Sequence, residues 1–233
     1  MSFCNCATLA GADQDSELGY NLDWIFQRVQ EHGSWRWQPV PERWPRSTGA
    51  DDFADAVHKL YAQFNRFVEV LAPCLDRQLG MSTAGWRSAA EGPQMSFKCY
   101  PPLADDLAPE LRERIVGISA HTDFQSLFTC LHQSAPGLEV LPHSGTSWVE
   151  VENPVGCITV IGTEILETLC GGQVKALPHR VGKLTHERFA AQFFVNNVEP
   201  AMPLGDGTYG EAVGASHAAA NQALEEARRD AKL

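Results

Sequence analysis

The chain is poor in positive charge. Eighteen Lys and Arg stand against 29 Asp and Glu in 233 residues, a formal net charge of −11. A nucleic-acid groove or an anionic membrane needs a basic face, so neither is an expected partner. Long apolar runs are also missing, and no stretch approaches the roughly 20 residues that span a bilayer. The N-terminus shows no charged region leading into an apolar run, so no secretory signal is expected. The seven cysteines, at 4, 6, 74, 99, 130, 157 and 170, are odd in number and scattered. Cys4 and Cys6 are too close for a CxxC pair. The expectation is reduced thiols, several of them filling the core, in a cytoplasmic protein. Phosphate-binding loops, dinucleotide glycine fingerprints, serine nucleophile elbows and internal repeats are all absent from the sequence.

What is present suggests one domain preceded by an irregular segment. Residues 1–50 hold Trp24, Trp35, Trp37 and Trp44, with prolines at 39, 41 and 45 that break any long helix. Leu22 to Val29 reads as a short helix, and the tryptophans as packing onto the domain that follows. Residues 51–79 carry Phe53, Val57, Leu60, Phe64, Phe67, Val68, Leu71, Leu75 and Leu79 at three-and-four spacing, one apolar stripe of a helix. Asp51 can cap its start and Gly80 its end, and Pro73 is expected to kink or divide it.

From about residue 94 the period changes. Short apolar runs at 95–100, 115–119, 126–131, 138–141, 147–151, 157–161, 174–180 and 188–195 are separated by turn residues. Evenly spaced short strands predict a sandwich or jelly roll rather than βαβ units. Glu164 to Leu169 reads as one helical turn, Gly171-Gly172 as a tight turn, and 211–231 as a polar C-terminal helix. The single domain therefore runs over 51–233, with its β core at about 95–196.

Within that core lies His121-Thr122-Asp123, with His179 in a later candidate strand. Two imidazoles and one carboxylate form the donor set of a mononuclear non-heme iron(II) site with open positions. The triplet alone fits equally well a strand-end histidine hydrogen-bonded to an aspartate. In an extended strand, residues two apart project to one side, so His121 and Asp123 can face one cavity. Arg188 opens the strand containing Ala190, Gln192 and Phe194. An inward arginine needs an anion, because an unpaired buried charge is costly. A dicarboxylate held at the metal would be that anion. His132, His143, His186 and His217 have no complete ligand set around them, and His186 reads as a surface residue.

The stretches MSFKCYPPL, VGISAHTDFQSLFTCLHQSAPGLEVL, SWVEVENPVGCITVIGTEILETLCGGQVKALPHRV and ERFAAQFFV resemble the isopenicillin N synthase-like family of iron(II)/2-oxoglutarate-dependent oxygenases. The likeness covers about 95–196 and extends weakly back through Trp44-Pro45 and the 51–79 helix. It implies a mainly β fold with flanking helices, a double-stranded β-helix (jelly roll, cupin-like). It also implies an enzyme that uses Fe(II), 2-oxoglutarate and molecular oxygen to oxidise a C–H bond of a small molecule in specialised metabolism. His121, Asp123 and His179 would bind iron, Arg188 the distal carboxylate of 2-oxoglutarate, and Tyr100 the cosubstrate. Lys98, Gln192 and Phe194 are candidates for contact with substrate, and the assembly is expected to be a monomer or weak homodimer.

Two departures qualify the likeness. The family usually has Arg-x-Ser where this chain has Arg188-Phe189-Ala190. A lost hydroxyl contact costs about 0.5–1.5 kcal/mol net, up to about 3 with a charged partner, less than the bidentate arginine–carboxylate pair. Weakened 2-oxoglutarate binding is expected, with Gln192 as a compensating contact; an oxidase of the same fold without 2-oxoglutarate and an inactive ligand-binding remnant stay open. The family also usually carries a further segment before the region matching residue 20. Its shortness here implies a more open pocket, or one covered by residues 1–45.

Overall fold

Apolar three-and-four spacing does produce one long helix, α1, Ala50–Leu79. Of the two outcomes expected at Pro73, a division is not seen: the helix runs through it. One lost backbone bond near the C-terminal end is outweighed by packing on both sides of it, with Val57, Phe64, Val68 and Ala72 buried before it and Leu75 and Leu79 packed after it. Gly80 stops the helix at φ +64°. The Met81 N–H then returns to the Asp76 carbonyl at 3.1 Å, a Schellman closure.

The computed structural model describes residues 8–9, 20–21, 26–31, 34–39, 50–81, 94–100, 102, 109, 115–124, 126–152, 154–195 and 201–230. The strands are β1 (Thr8–Leu9), β2 (Tyr20–Asn21), β3 (Phe26–Glu31), β4 (Ser34–Pro39), β5 (Gln94–Tyr100), β6 (Ile115–Val116), β7 (Ile118–His121), β8 (Phe128–Gln133), β9 (Leu138–Val140), β10 (Val149–Glu150), β11 (Thr159–Gly162), β12 (His179–Val181), β13 (Arg188–Phe194), β14 (Pro203–Leu204) and β15 (Gly207–Thr208). Two further helices are α2 (Glu164–Leu169) and α3 (Tyr209–Asp230). A five-stranded sheet has the order β11-β8-β13-β5-β2, and a four-stranded sheet the order β10-β9-β12-β7; every pairing in both is antiparallel.

Three corrections concern these elements. The helix expected at 22–29 is replaced by β3, which pairs with β4 as a hairpin; residues 22–25 lie outside the described set. Phe, Val and the tryptophans of this stretch favour extended backbone. The segment expected to be irregular also lends β1 to β6 and β2 to β5. The strand expected over 174–180 begins only at His179, because Pro178 offers no N–H to a ladder. The side chains of Trp24, Trp35, Trp37 and Trp44 lie outside the described residues.

Strand alternation divides the core in two. One face of the larger sheet, with Met95, Phe128, Cys130 and Phe193, packs on α1. Phe193 stacks on Phe64 with ring centroids 4.9 Å apart, and Tyr61 lies at 5.4 Å. Each such buried phenylalanine contributes roughly 1.5–3 kcal/mol. The opposite face carries Tyr100, Leu131 and Ala190 toward Ile118, Leu138 and Val181 of the smaller sheet. Polar side chains among these residues are the ones with chemistry to do.

Candidate metal centre and carboxylate site

Strand register creates the candidate metal centre. In the β7–β12 pair, His121 stands directly opposite His179. Their rings lie 4.3 Å apart, centroid to centroid. Asp123 follows in the loop after β7 rather than in the strand itself, so alternation alone does not place it. Its carbonyl accepts the Glu164 N–H at 2.9 Å, and Thr122 donates to the Glu164 carboxylate. Thr163 caps α2 and donates its hydroxyl to the carbonyls of Ser126 and Leu127. The start of α2 thus pins the loop that carries the aspartate.

Each of the three ligand-type side chains has one atom engaged and another turned to a common point. His121 Nδ1 bonds the Ser119 carbonyl at 2.8 Å, and His179 Nδ1 bonds the Leu177 carbonyl at 3.0 Å. A carbonyl only accepts, so both Nδ1 atoms hold the proton and both Nε2 atoms present a lone pair. Thr129 donates to Asp123 Oδ2 at 2.6 Å. That leaves Oδ1, at 3.7 Å from His121 Nε2 and 3.9 Å from His179 Nε2. These separations are too long for hydrogen bonds and suit atoms that share an ion. All three ligand atoms fall within 4.8 Å of one another. Burial, and next the His121 ring, push the His179 pKa below the ordinary imidazole value. The ring is thereby kept neutral, the form that ligates metal. The donor set fits iron(II).

A cavity of about 350 Å³, counted out to its mouth, lies between the sheets; His121, His179, Thr129, Tyr100, Gln192 and Arg188 are among the residues that line it. Arg188 is only 1% exposed. Burial lowers its pKa, and the Tyr100 phenol partly offsets this. Its guanidinium carbon sits 4.7 Å from the Tyr100 ring centre, the two residues being cross-strand partners. Nε and Nη2 both donate to Gln133 Oε1, at 3.1 and 2.7 Å, while Nη1 is buried with no acceptor in place. Gly137, at φ +133°, leaves room for the arginine stem; a Cβ there would meet Leu184 at 2.5 Å and Arg188 Cδ at 3.2 Å. This is why a glycine stands at 137, before Leu138.

Of the remaining sequence candidates, Gln192 lines this cavity, whereas Lys98, Phe194 and His186 are not among its lining residues. Gln192 accepts the Ser96 hydroxyl at 3.2 Å. Lys98 stands opposite Ala190 in the β5–β13 register, half-buried, and its charge reaches His179. Phe194 lies on the same face of β13, opposite Thr129, and is not among the cavity-lining residues. His186 is exposed and bonds the Pro136 carbonyl at 3.2 Å, as a surface residue. Sequence reasoning missed Thr129, Gln133 and Arg180. Arg180 lines the cavity, donates to Glu139 at 2.6 Å and stacks over Trp148. The signal for the first two was present: they alternate with Leu131 along β8, polar residues on a face that period two directs inward.

Two imidazoles and a carboxylate close to a buried arginine are the kind of donor set that mononuclear non-heme iron sites use. Residues 91–197 match the family model of the 2OG-Fe(II) oxygenase superfamily. The narrower isopenicillin N synthase-like grouping is not distinguished by this match. A 2-oxoglutarate-dependent dioxygenase of Didymella fabae is 33% identical over 113 residues, 48% of this chain and 34% of that protein. Among solved structures, a full-length Neurospora crassa protein in complex with alpha-KG aligns with TM-score 0.60 and 18% identity, over 76% of this chain and 54% of the other. JOX2 in complex with 2OG, Fe and JA aligns with TM-score 0.61 and 19% identity, over 77% and 51%. Both likenesses establish the double-stranded β-helix fold. The chain spans about a third of the curated relative and about half of these solved structures.

Proposed function

We propose that this protein is an Fe(II)- and 2-oxoglutarate-dependent oxygenase that oxidises a C–H bond of a small molecule, by hydroxylation, desaturation or oxidative cyclisation. The observation that carries this reading is the shared cavity: His121 and His179, grouped with Asp123, line one space with the buried Arg188. His121, Asp123 and His179 would hold the metal. Arg188 would take the distal carboxylate of 2-oxoglutarate, with Tyr100 beneath the guanidinium. Lys98, Gln192 and Phe194 are assigned to the substrate side. A role in specialised metabolism, a cytoplasmic location and a monomeric or weakly dimeric state complete the proposal. No described helix is long and apolar enough to cross a membrane.

Iron bound there supplies the redox chemistry by which oxygen and 2-oxoglutarate become succinate, carbon dioxide and an oxidised substrate. The chain's own contribution is positional. The Ser119 and Leu177 carbonyls keep the Nε2 lone pairs forward, and Thr129 keeps one aspartate oxygen free. Arg188 selects a dicarboxylate by charge and length, while Ile118, Leu131, Leu138 and Ile161 keep the space between the two charged ends apolar. A second reading, an iron oxidase that takes its electrons from substrate alone, draws support from Ala190, which offers a carboxylate no hydroxyl. The test is anaerobic titration of the Fe(II)-loaded protein with 2-oxoglutarate, followed by admission of oxygen and assay of succinate. Succinate that forms in step with substrate oxidation supports the first reading. Substrate oxidation without succinate supports the second, and no iron-dependent turnover with any substrate class supports the remnant.

A further inference from the structure

Gln133 is 1% exposed and lies on the inner face of β8. Its amide is held at both ends. Nε2 donates to the Val151 carbonyl at 3.4 Å, and Oε1 accepts two N–H groups of Arg188. The donor end fixes which way the amide points, since the reverse orientation would set an NH₂ group against the guanidinium. Directly across the β8–β13 pair stands Ala190, whose methyl group adds no polar contact. The hold is strong in geometry and neutral in charge. A carboxylate at 133 would satisfy the arginine completely, whereas an amide aligns it and leaves its positive charge and its Nη1 for something else.

We infer that Gln133 is the positioning residue of the carboxylate site, a neutral brace that sets the guanidinium plane while reserving its charge for an incoming dicarboxylate. This rests on the 2-oxoglutarate reading proposed above. Two consequences separate it from a purely structural role. Glutamate at 133 becomes an internal competitor for Arg188, so stability holds or rises while 2-oxoglutarate affinity drops. Leucine at 133 frees the guanidinium to swing, so affinity and stability drop together.

The experiment is calorimetric titration of 2-oxoglutarate into the Mn(II)-loaded protein, with Tm measured on the same samples. Gln133→Glu is expected to weaken binding at least about tenfold with Tm unchanged or higher, and Gln133→Leu to weaken it about tenfold with a lower Tm. Adding Ala190→Ser to Gln133→Leu returns a polar contact beside Arg188 and is expected to recover part of the affinity. If Gln133→Leu does not fold, Gln133→Glu decides alone. Affinity within about twofold of the parent in the folded Gln133 variants overturns the inference, even if Tm moves. If the parent itself binds no 2-oxoglutarate, the cosubstrate reading falls and this falls with it. If Arg188→Leu abolishes binding while the Gln133 variants keep it, only the role of Gln133 falls.

Discussion

The two ends of the barrel cavity are held in place by different kinds of contact. At the metal end, two of the three donors are set by hydrogen bonds to a backbone carbonyl two residues back in the chain, and the third by a hydroxyl six residues on. At the arginine end, the guanidinium is set by a side chain 55 residues away, on a neighbouring strand. Local contacts orient the candidate metal ligands. The orientation of the arginine depends on the pairing of β8 with β13. At the metal end each donor is oriented locally, although the β7–β12 pairing brings the two histidines together; at the arginine end even the orientation depends on tertiary packing, and the two ends should fail independently.

The largest expected effect tests the metal end. His179→Ala removes a ligand and should lower metal affinity by more than the roughly 10–100-fold that loss of an outer partner costs. Metal content after dialysis measures this, and far-UV circular dichroism checks the fold. Retention of a full equivalent of metal would break the assignment of the donors. Next in size, Arg188→Leu should weaken 2-oxoglutarate binding by about 3 kcal/mol, roughly 100-fold, and leave metal binding nearly unchanged. If both affinities fell together, the ends would not be independent and the comparison would collapse.

A smaller effect sharpens the picture inside the metal end. Thr129→Val deletes the hydroxyl that occupies Asp123 Oδ2. Metal affinity should fall about tenfold, the scale of an outer-contact loss, as read by competition with a chelator. No change would mean that the loop pinned by Glu164 suffices to aim the carboxylate.

The smallest effect is a control on the scaffold. Cys130 lies on the β8 face that packs on α1, and burial raises its thiol pKa to about 12. At about pH 8 it should stay unlabelled by a maleimide while the exposed Cys74 and Cys157 react. Mass spectrometry of the digest reads this. Labelling of Cys130 in the His179 or Arg188 variant would show that the barrel had opened, and that variant's binding data would then speak of unfolding.

The same local-versus-distant division decides what could be read from the sequence. The α1 stripe, the eight core segments and the helical turn at Glu164 follow from periodicity and turn residues, and the structure has an element at each. The His121–Asp123 spacing is a short-range signal. So is Arg188, a charge opening an apolar strand. Period two puts Gln133 on an inward face, but its pairing with Arg188 was illegible, because only the β8–β13 register brings them together. The contact of Thr129 with Asp123 was hidden similarly, since the loop after β7 had to fold back before the hydroxyl met the carboxylate. The N-terminal hairpin was misjudged because a short run with Phe, Val and Trp fits helix or strand by period alone. Pairing with a second segment decides between them, and pairing has no local signature.

The cross-strand position of His121 and His179 has one more consequence. These residues are distant in sequence and adjacent in the smaller sheet, so an ion between them is also a cross-link. Any unfolding that parts β7 from β12 must release it. Bound metal at about 100 times its dissociation constant would add about 2.7 kcal/mol to the stability of the whole sheet. The proposed metal centre would then double as a clasp, and the melting temperature of the protein would become a gauge of how much iron its surroundings supply.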